Sequence, residues 1–100
     1  MTAKISKLHS RILEVLRETP ATPEAVRELV LKSDGEKYPI NTIRARFSDL
    51  ANPRDEMGRR LPPFIVSTGK TGRADGGRQC NIMRVLSDGE RMAWVWEDAA

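Results

Sequence analysis

Apolar residues recur at three- and four-residue steps near the start of the chain. Ile5, Leu8, Ile12, Val15 and Leu16 follow this spacing, with Lys4, Lys7, Arg11, Glu14 and Arg17 at most of the positions between them. The pattern predicts an amphipathic helix over about residues 3–18. Thr19-Pro20 ends it, because proline has no amide to donate and drives its predecessor out of helical geometry. Thr22-Pro23 then reads as an N-cap followed by proline at the first helical position, with Glu24 placed to favour the positive end of the helix dipole. A second helix over about 23–33 follows. Its expected buried face is Ala25 or Val26, Leu29 and Val30, and Ser33-Asp34-Gly35 supplies its exit. The connector Glu36–Pro39 lets Tyr38 pack as a staple.

The run INTIRARFSDL, Ile40–Leu50, carries a third period. With Asn41 as the cap, a helix over about 42–51 places Ile43, Phe47 and Leu50 in one narrow arc. Asn41, Ala45 and Ser48 fall opposite, with Arg44 and Arg46 on the flanks, and Asn52-Pro53 ends the helix. After the polar connector PRDEMGRRLPP, two β-rich runs predict strands at about 64–68 and 79–86. The second alternates Cys80 and Ile82 with Asn81 and Met83. Between the two strands, GKTGRADGGR (Gly69–Arg78) predicts a hairpin loop longer than usual, and excess loop length is a hint of function. Residues 87–100 read as a strand or a short helix. Asp88-Gly89 between alternating hydrophobics favours a third strand over Arg91–Trp96, with Met92, Trp94 and Trp96 on one face, and a Ser87-capped helix is the competitor.

One hundred residues with 39% apolar content and five aromatics allow a single domain with a small core and little room for a large cofactor. No internal repeat or low-complexity tract is present. No apolar run approaches the roughly 18–20 residues that span a bilayer, so the expectation is a soluble protein without a signal peptide and with no membrane partner. The single cysteine, Cys80, excludes an internal disulfide and reads as a small core hydrophobe in a reducing cytosol.

Charge is unevenly placed. Residues 1–40 carry +1, residues 41–84 carry +5 and residues 85–100 carry −3, within a net charge of +3. The basic excess coincides with the third helix and the Gly-rich loop, which is the electrostatic layout expected of a polyanion binder. Catalysis finds no foothold: no nucleophile, base and metal set stand together. His9 has no second histidine near it, so packing is its simplest role and no metal is expected. Gly69-Lys70-Thr71 lacks the spacing of a phosphate-binding loop. No cofactor is expected.

The residues TPEAVRELV, NTIRARFSDL, STGKTGR and GRQCNIMRV together resemble the winged helix-turn-helix superfamily, and more narrowly the small winged-helix proteins of bacteriophage and prophage genomes. The resemblance covers about residues 5–86. It implies an α+β fold of three helices followed by a C-terminal β-hairpin wing, with double-stranded DNA as partner and the bacterial cytosol or nucleoid as location. It also implies a DNA-contacting set of Asn41, Thr42, Arg44, Ala45, Arg46 and Ser48 on the third helix, with Lys70, Arg73 and Arg78 in the wing. Asn suits adenine, Arg suits guanine, Ser accepts either, and Ala can touch a thymine methyl. The wing cations would serve phosphates or the minor groove. The chain departs from the simplest pattern in its long connector, Ala51–Pro63, and in its acidic Trp-bearing tail.

Two alternatives remain open on these residues. Arg44 or Arg46 can instead pair with Asp49 or with a glutamate of the second helix as ordinary surface ion pairs. Trp94 and Trp96 either seal the core or form a homodimer interface. The rival function is a winged-helix protein-interaction module, such as a phage effector that binds a host protein.

Overall fold

The computed structural model describes residues 6–73 and 79–96. Over these residues the chain is α+β, with four helices and one two-stranded antiparallel sheet: α1 (Lys7–Glu18), α2 (Pro23–Asp34), α3 (Ile40–Ala51), β1 (Ile65–Arg73), β2 (Gln79–Val85) and α4 (Asp88–Met92). None of these helices is long and apolar enough to cross a membrane.

Helix α1 begins at a capping box. Ser6 Oγ accepts from the His9 amide, and His9 Nδ1 accepts from the Ser6 amide at 2.9 Å. Its inward face is Ile12, Leu13, Val15 and Leu16, while Ile5 lies outside the described residues. Helix α2 starts as the sequence predicts, with Thr22 Oγ1 accepting from Ala25 N and Pro23 at the first helical position. It ends on Gly35, whose φ of 71° places it in the left-handed region that glycine enters without steric penalty.

The buried stripe of α2 is narrower than expected. Val26 and Val30 are fully buried one turn apart, whereas Ala25 is exposed and Leu29 is 42% exposed. Leu29 sits on the rim of a groove against Arg11 and Val15 of α1, because the Val26–Val30 row alone faces α3 and the hairpin.

Helix α3 begins earlier than the Asn41 cap predicts. Pro39 is its N-cap residue, and the Pro39 carbonyl accepts from Thr42 N at 3.0 Å and from Ile43 N at 3.3 Å. Asn41 is therefore inside the first turn and exposed. Tyr38 packs against the core as the staple reading requires, and its carbonyl accepts from Arg27 Nε at 2.7 Å. That bond fixes the approach to α3 without a side-chain cap. Ile43, Phe47 and Leu50 are buried as predicted.

The core joins Ile12, Leu16, Val26, Val30, Ile43, Leu50 and Ile65, with Phe64, Met83 and Val85 packed on its edge. Full burial of such a side chain contributes roughly 1.5–3 kcal/mol. The hairpin pairs Ile65 with Val85 and Ser67 with Met83. Its register then slips before Thr71 meets Asn81. Gly69, with φ 85°, sits in the slipped segment. Strand β1 thus runs on to Arg73, well past the predicted end at residue 68, and takes in part of the predicted loop. On the other edge of β2, Ala21 and Met83 exchange two backbone hydrogen bonds of 3.1 and 2.9 Å, which ties the α1–α2 turn to the hairpin.

The tail is helical where the strand was favoured. Ser87 Oγ accepts from Glu90 N, and Glu90 Oε1 accepts from Ser87 N, both at 3.1 Å. This capping box, reinforced by Arg84 Nη2 on Glu90 Oε2 at 3.0 Å, outweighs the Asp-Gly turn signal. Met92, Trp94 and Trp96 consequently share no strand face.

Candidate nucleic-acid interface

With Ile43, Phe47 and Leu50 facing inward, α3 turns Asn41, Ala45 and Ser48 fully outward and leaves Thr42, Arg44 and Arg46 half-buried on the flanks. This is the disposition that the 100° period requires.

Both arginines carry intramolecular carboxylate partners, as the ion-pair alternative anticipates. Arg44 Nη2 donates to Oε1 of Glu24, which projects from the first turn of α2. The Glu24 side chain is only 11% exposed, and its second oxygen, Oε2, is buried without a hydrogen-bond partner. Arg46 Nε lies 2.8 Å from Asp49 Oδ2, yet its N–H does not aim at an acceptor. This contact is a close ion pair without hydrogen-bond geometry. The same Asp49 oxygen receives His9 Nε2 at 2.9 Å. Since Nδ1 of His9 accepts from the Ser6 amide, the imidazole proton belongs on Nε2, which donates to Asp49.

The hairpin shares a surface with α3. Arg44 and Ser48 of the helix face Gln79 and Asn81 of β2 across an open groove floored by Phe47 and Met83. The groove is lined mainly by apolar groups, Pro23 and Ala51 among them, with polar residues contributed by two elements. Cys80 lies in its wall, half-buried and outside the buried core that its sequence reading assigned to it. Lys70 is exposed on β1 near the register slip. The backbone of Arg73 ends β1 opposite Gln79, and Arg78 lies outside the described residues.

The connector and the tail form a second unit. Asp55, whose side chain is 4% exposed, accepts from Met57 N and Arg59 N at 2.9 Å and from Arg59 Nε at 3.0 Å. These bonds, the Arg59 amide first, hold its carboxyl below the usual aspartate range. The tail closes over this connector. Arg91 donates to the Pro62 and Pro63 carbonyls at 3.2 Å and stacks 3.8 Å from the centre of the Phe64 ring. Trp96 Nε1 donates to Leu61 O at 3.1 Å, beneath the Arg60 guanidinium at 4.0 Å. Trp94 meets Trp96 edge-on at 5.5 Å.

Two neighbours of α3 are less fully legible in the sequence. Glu24 reads by name as a helix-dipole partner and only anonymously, as a glutamate of the second helix, as an arginine partner; its position one residue after Pro23 turns it toward Arg44. His9 was read as packing, although Ser6-x-x-His9 is a capping-box spacing with an unusual third member. No cluster of three or more metal-ligating side chains occurs among the described residues. No protein-family model, curated protein or solved structure matches the chain.

Proposed function

We propose that the chain binds double-stranded DNA as a winged helix-turn-helix protein, a small transcriptional regulator or accessory factor of phage or prophage type acting in the bacterial cytosol or nucleoid. The observation that supports this best is the shared groove, in which Arg44 and Ser48 of α3 and Gln79 and Asn81 of β2 offer hydrogen-bonding groups to one ligand surface. Helix α3 enters the major groove and brings Asn41, Thr42, Ala45 and Ser48 to base edges. Lys70, Arg73 and Arg78 meet phosphates, which position the protein without specifying sequence. The ion pairs on Arg44 and Arg46 are compatible with this role, because a guanidinium has five N–H donors and each carboxylate engages one nitrogen.

Fluorescence anisotropy with a mixed-sequence duplex tests the proposal. Binding is expected at low salt and should weaken by about tenfold or more between 50 and 200 mM salt as neutralised phosphates release counterions. Undetectable binding at low salt removes the reading.

A second reading, a winged-helix module that docks a host protein, is favoured by one set of observations. Carboxylates offset both flanking arginines, and Met92 and Val95 on the tail are 88% and 80% exposed. Replacing Lys70 and Arg73 with Glu separates the two readings: loss of duplex binding supports DNA, and retained capture of a protein through an intact tail supports the module. A homodimer would use the same tail, through Met92 and Val95 beside Trp94, since the Trp96 indole is bonded within its own chain. A monomer in sedimentation at high micromolar concentration removes the homodimer.

A further inference from the structure

The geometry points to Glu24 as the positioning residue that sets Arg44 to read a guanine, an inference that rests on the DNA-binding reading above. Glu24 is 9% exposed, and Pro23 before it fixes the backbone at the start of α2. Glu24 lies in the first turn of α2, at the positive end of the helix dipole. The contact with Arg44 is one oxygen to one nitrogen, since Glu24 Oε2 has no hydrogen-bond partner. Arg44 therefore keeps most of its planar fork while its terminal nitrogen is anchored.

The Arg44 side chain remains 40% exposed and lines the groove beside Ser48 and Asn81. Guanine presents N7 and O6 side by side on its major-groove edge, and the guanidinium fork is the side-chain group that matches both. A flexible arginine loses rotamer freedom when it makes such a contact, and anchoring it beforehand reduces that loss. A buried anion behind the guanidinium thus favours a fixed, directional contact over a diffuse attraction to phosphate.

Arg46 is built for the opposite task. Its partner Asp49 is 50% exposed and lies on the same helix, and the pair lacks hydrogen-bond geometry. Such a pair exchanges readily for a phosphate. The two arginines flanking α3 are thereby divided into a base reader and a backbone contact.

The test begins with selection of bound sequences from random duplexes. The wild-type protein is then titrated against the enriched site and its single-base variants. The enriched site is expected to contain a guanine whose replacement weakens wild-type binding by about tenfold. In Arg44→Lys and Glu24→Ala that penalty should disappear, while base preferences at the other positions of the site are retained. Glu24→Gln, which keeps an acceptor oxygen, should restore most of the preference. A purely structural role for Glu24 would lower affinity at every position alike and is read by thermal melting in parallel. An unchanged guanine preference in a folded Glu24→Ala protein overturns the inference while leaving DNA binding intact. Failure of the wild-type protein to bind any duplex at low salt instead overturns the DNA reading itself. If Glu24→Ala does not fold, the Arg44 guanidinium protons of the wild-type complex decide by NMR: separate, slowly exchanging signals support the anchor, and averaged ones overturn it.

Discussion

His9 Nε2 stands 2.9 Å from Asp49 Oδ2, so the first turn of α1 is fastened to the last turn of α3 across 40 residues of sequence. His9 is buried, and its other ring nitrogen completes the α1 cap, so one side chain starts a helix and orients another. Replacing His9 with Ala should destabilise the fold by about 1–3 kcal/mol, with Asp49→Ala at the low end because that carboxylate is half exposed. Denaturant melts of both variants and the double variant should give a coupling of about 0.5–1.5 kcal/mol. A coupling indistinguishable from zero would show that the bond does no energetic work.

Core and rim positions should separate sharply. Ile43 is fully buried beneath the outward face of α3, so Ile43→Ala is expected to destabilise by about 2–5 kcal/mol. Leu29→Ala, on the exposed rim of α2, should change stability by less than about 1 kcal/mol. Comparable losses at both sites in urea melts would contradict the narrow Val26–Val30 stripe.

Acid should loosen the connector and the tail cap. The Asp55 carboxyl is depressed by the Arg59 and Met57 amides, and that of Glu90 by Arg84 first and then by the Ser87 amide. A carboxylate whose folded value lies below its unfolded value contributes stability that is fully present above the unfolded value, about 3.9 for Asp and 4.3 for Glu. That contribution is lost as pH falls through the folded value. Carboxyl-carbon NMR titration should place both midpoints below those ordinary values. A midpoint at or above them would mean that the bonds do not persist in solution.

The hairpin depends on two glycines for different reasons. Gly69 holds φ at 85°, so Gly69→Ala should be strained by about 1–2 kcal/mol without any new contact. Gly72 has an ordinary φ, but a Cβ there would sit 3.2 Å from Thr22 Cγ2, so Gly72→Val should disturb the α2 cap as well. Amide shifts at Ala25, which donates to Thr22, should move in the Gly72 variant and not in the Gly69 variant.

Local signals were legible where the chemistry was local. Thr22-Pro23 and Gly35 bound α2 as their intrinsic geometry demands, and the inward triad of α3 follows from its period. Boundaries failed where a distant partner decides. Asn41 looks like a cap until the Tyr38 carbonyl is seen held by Arg27, which lets the helix start at Ile40. The tail looks like a strand until Arg84 is seen reinforcing Glu90 from another element. For the candidate site, the outward residues of α3 could be read from periodicity alone. The partners of Arg44 and Arg46 could be named only as alternatives, because pairing with Glu24 or Asp49 depends on the crossing of α2 and α3.

The two backbone hydrogen bonds between Ala21 and Met83 have a consequence for how this surface can change over generations. Main-chain groups are common to nearly every residue type, so the seat of the hairpin on the α1–α2 turn is held by a joint that tolerates substitution on either side. Side chains at residues 79 and 81 can then be exchanged while that seat keeps its geometry. The clamp works as a pin: it preserves alignment whatever side chains stand beside it.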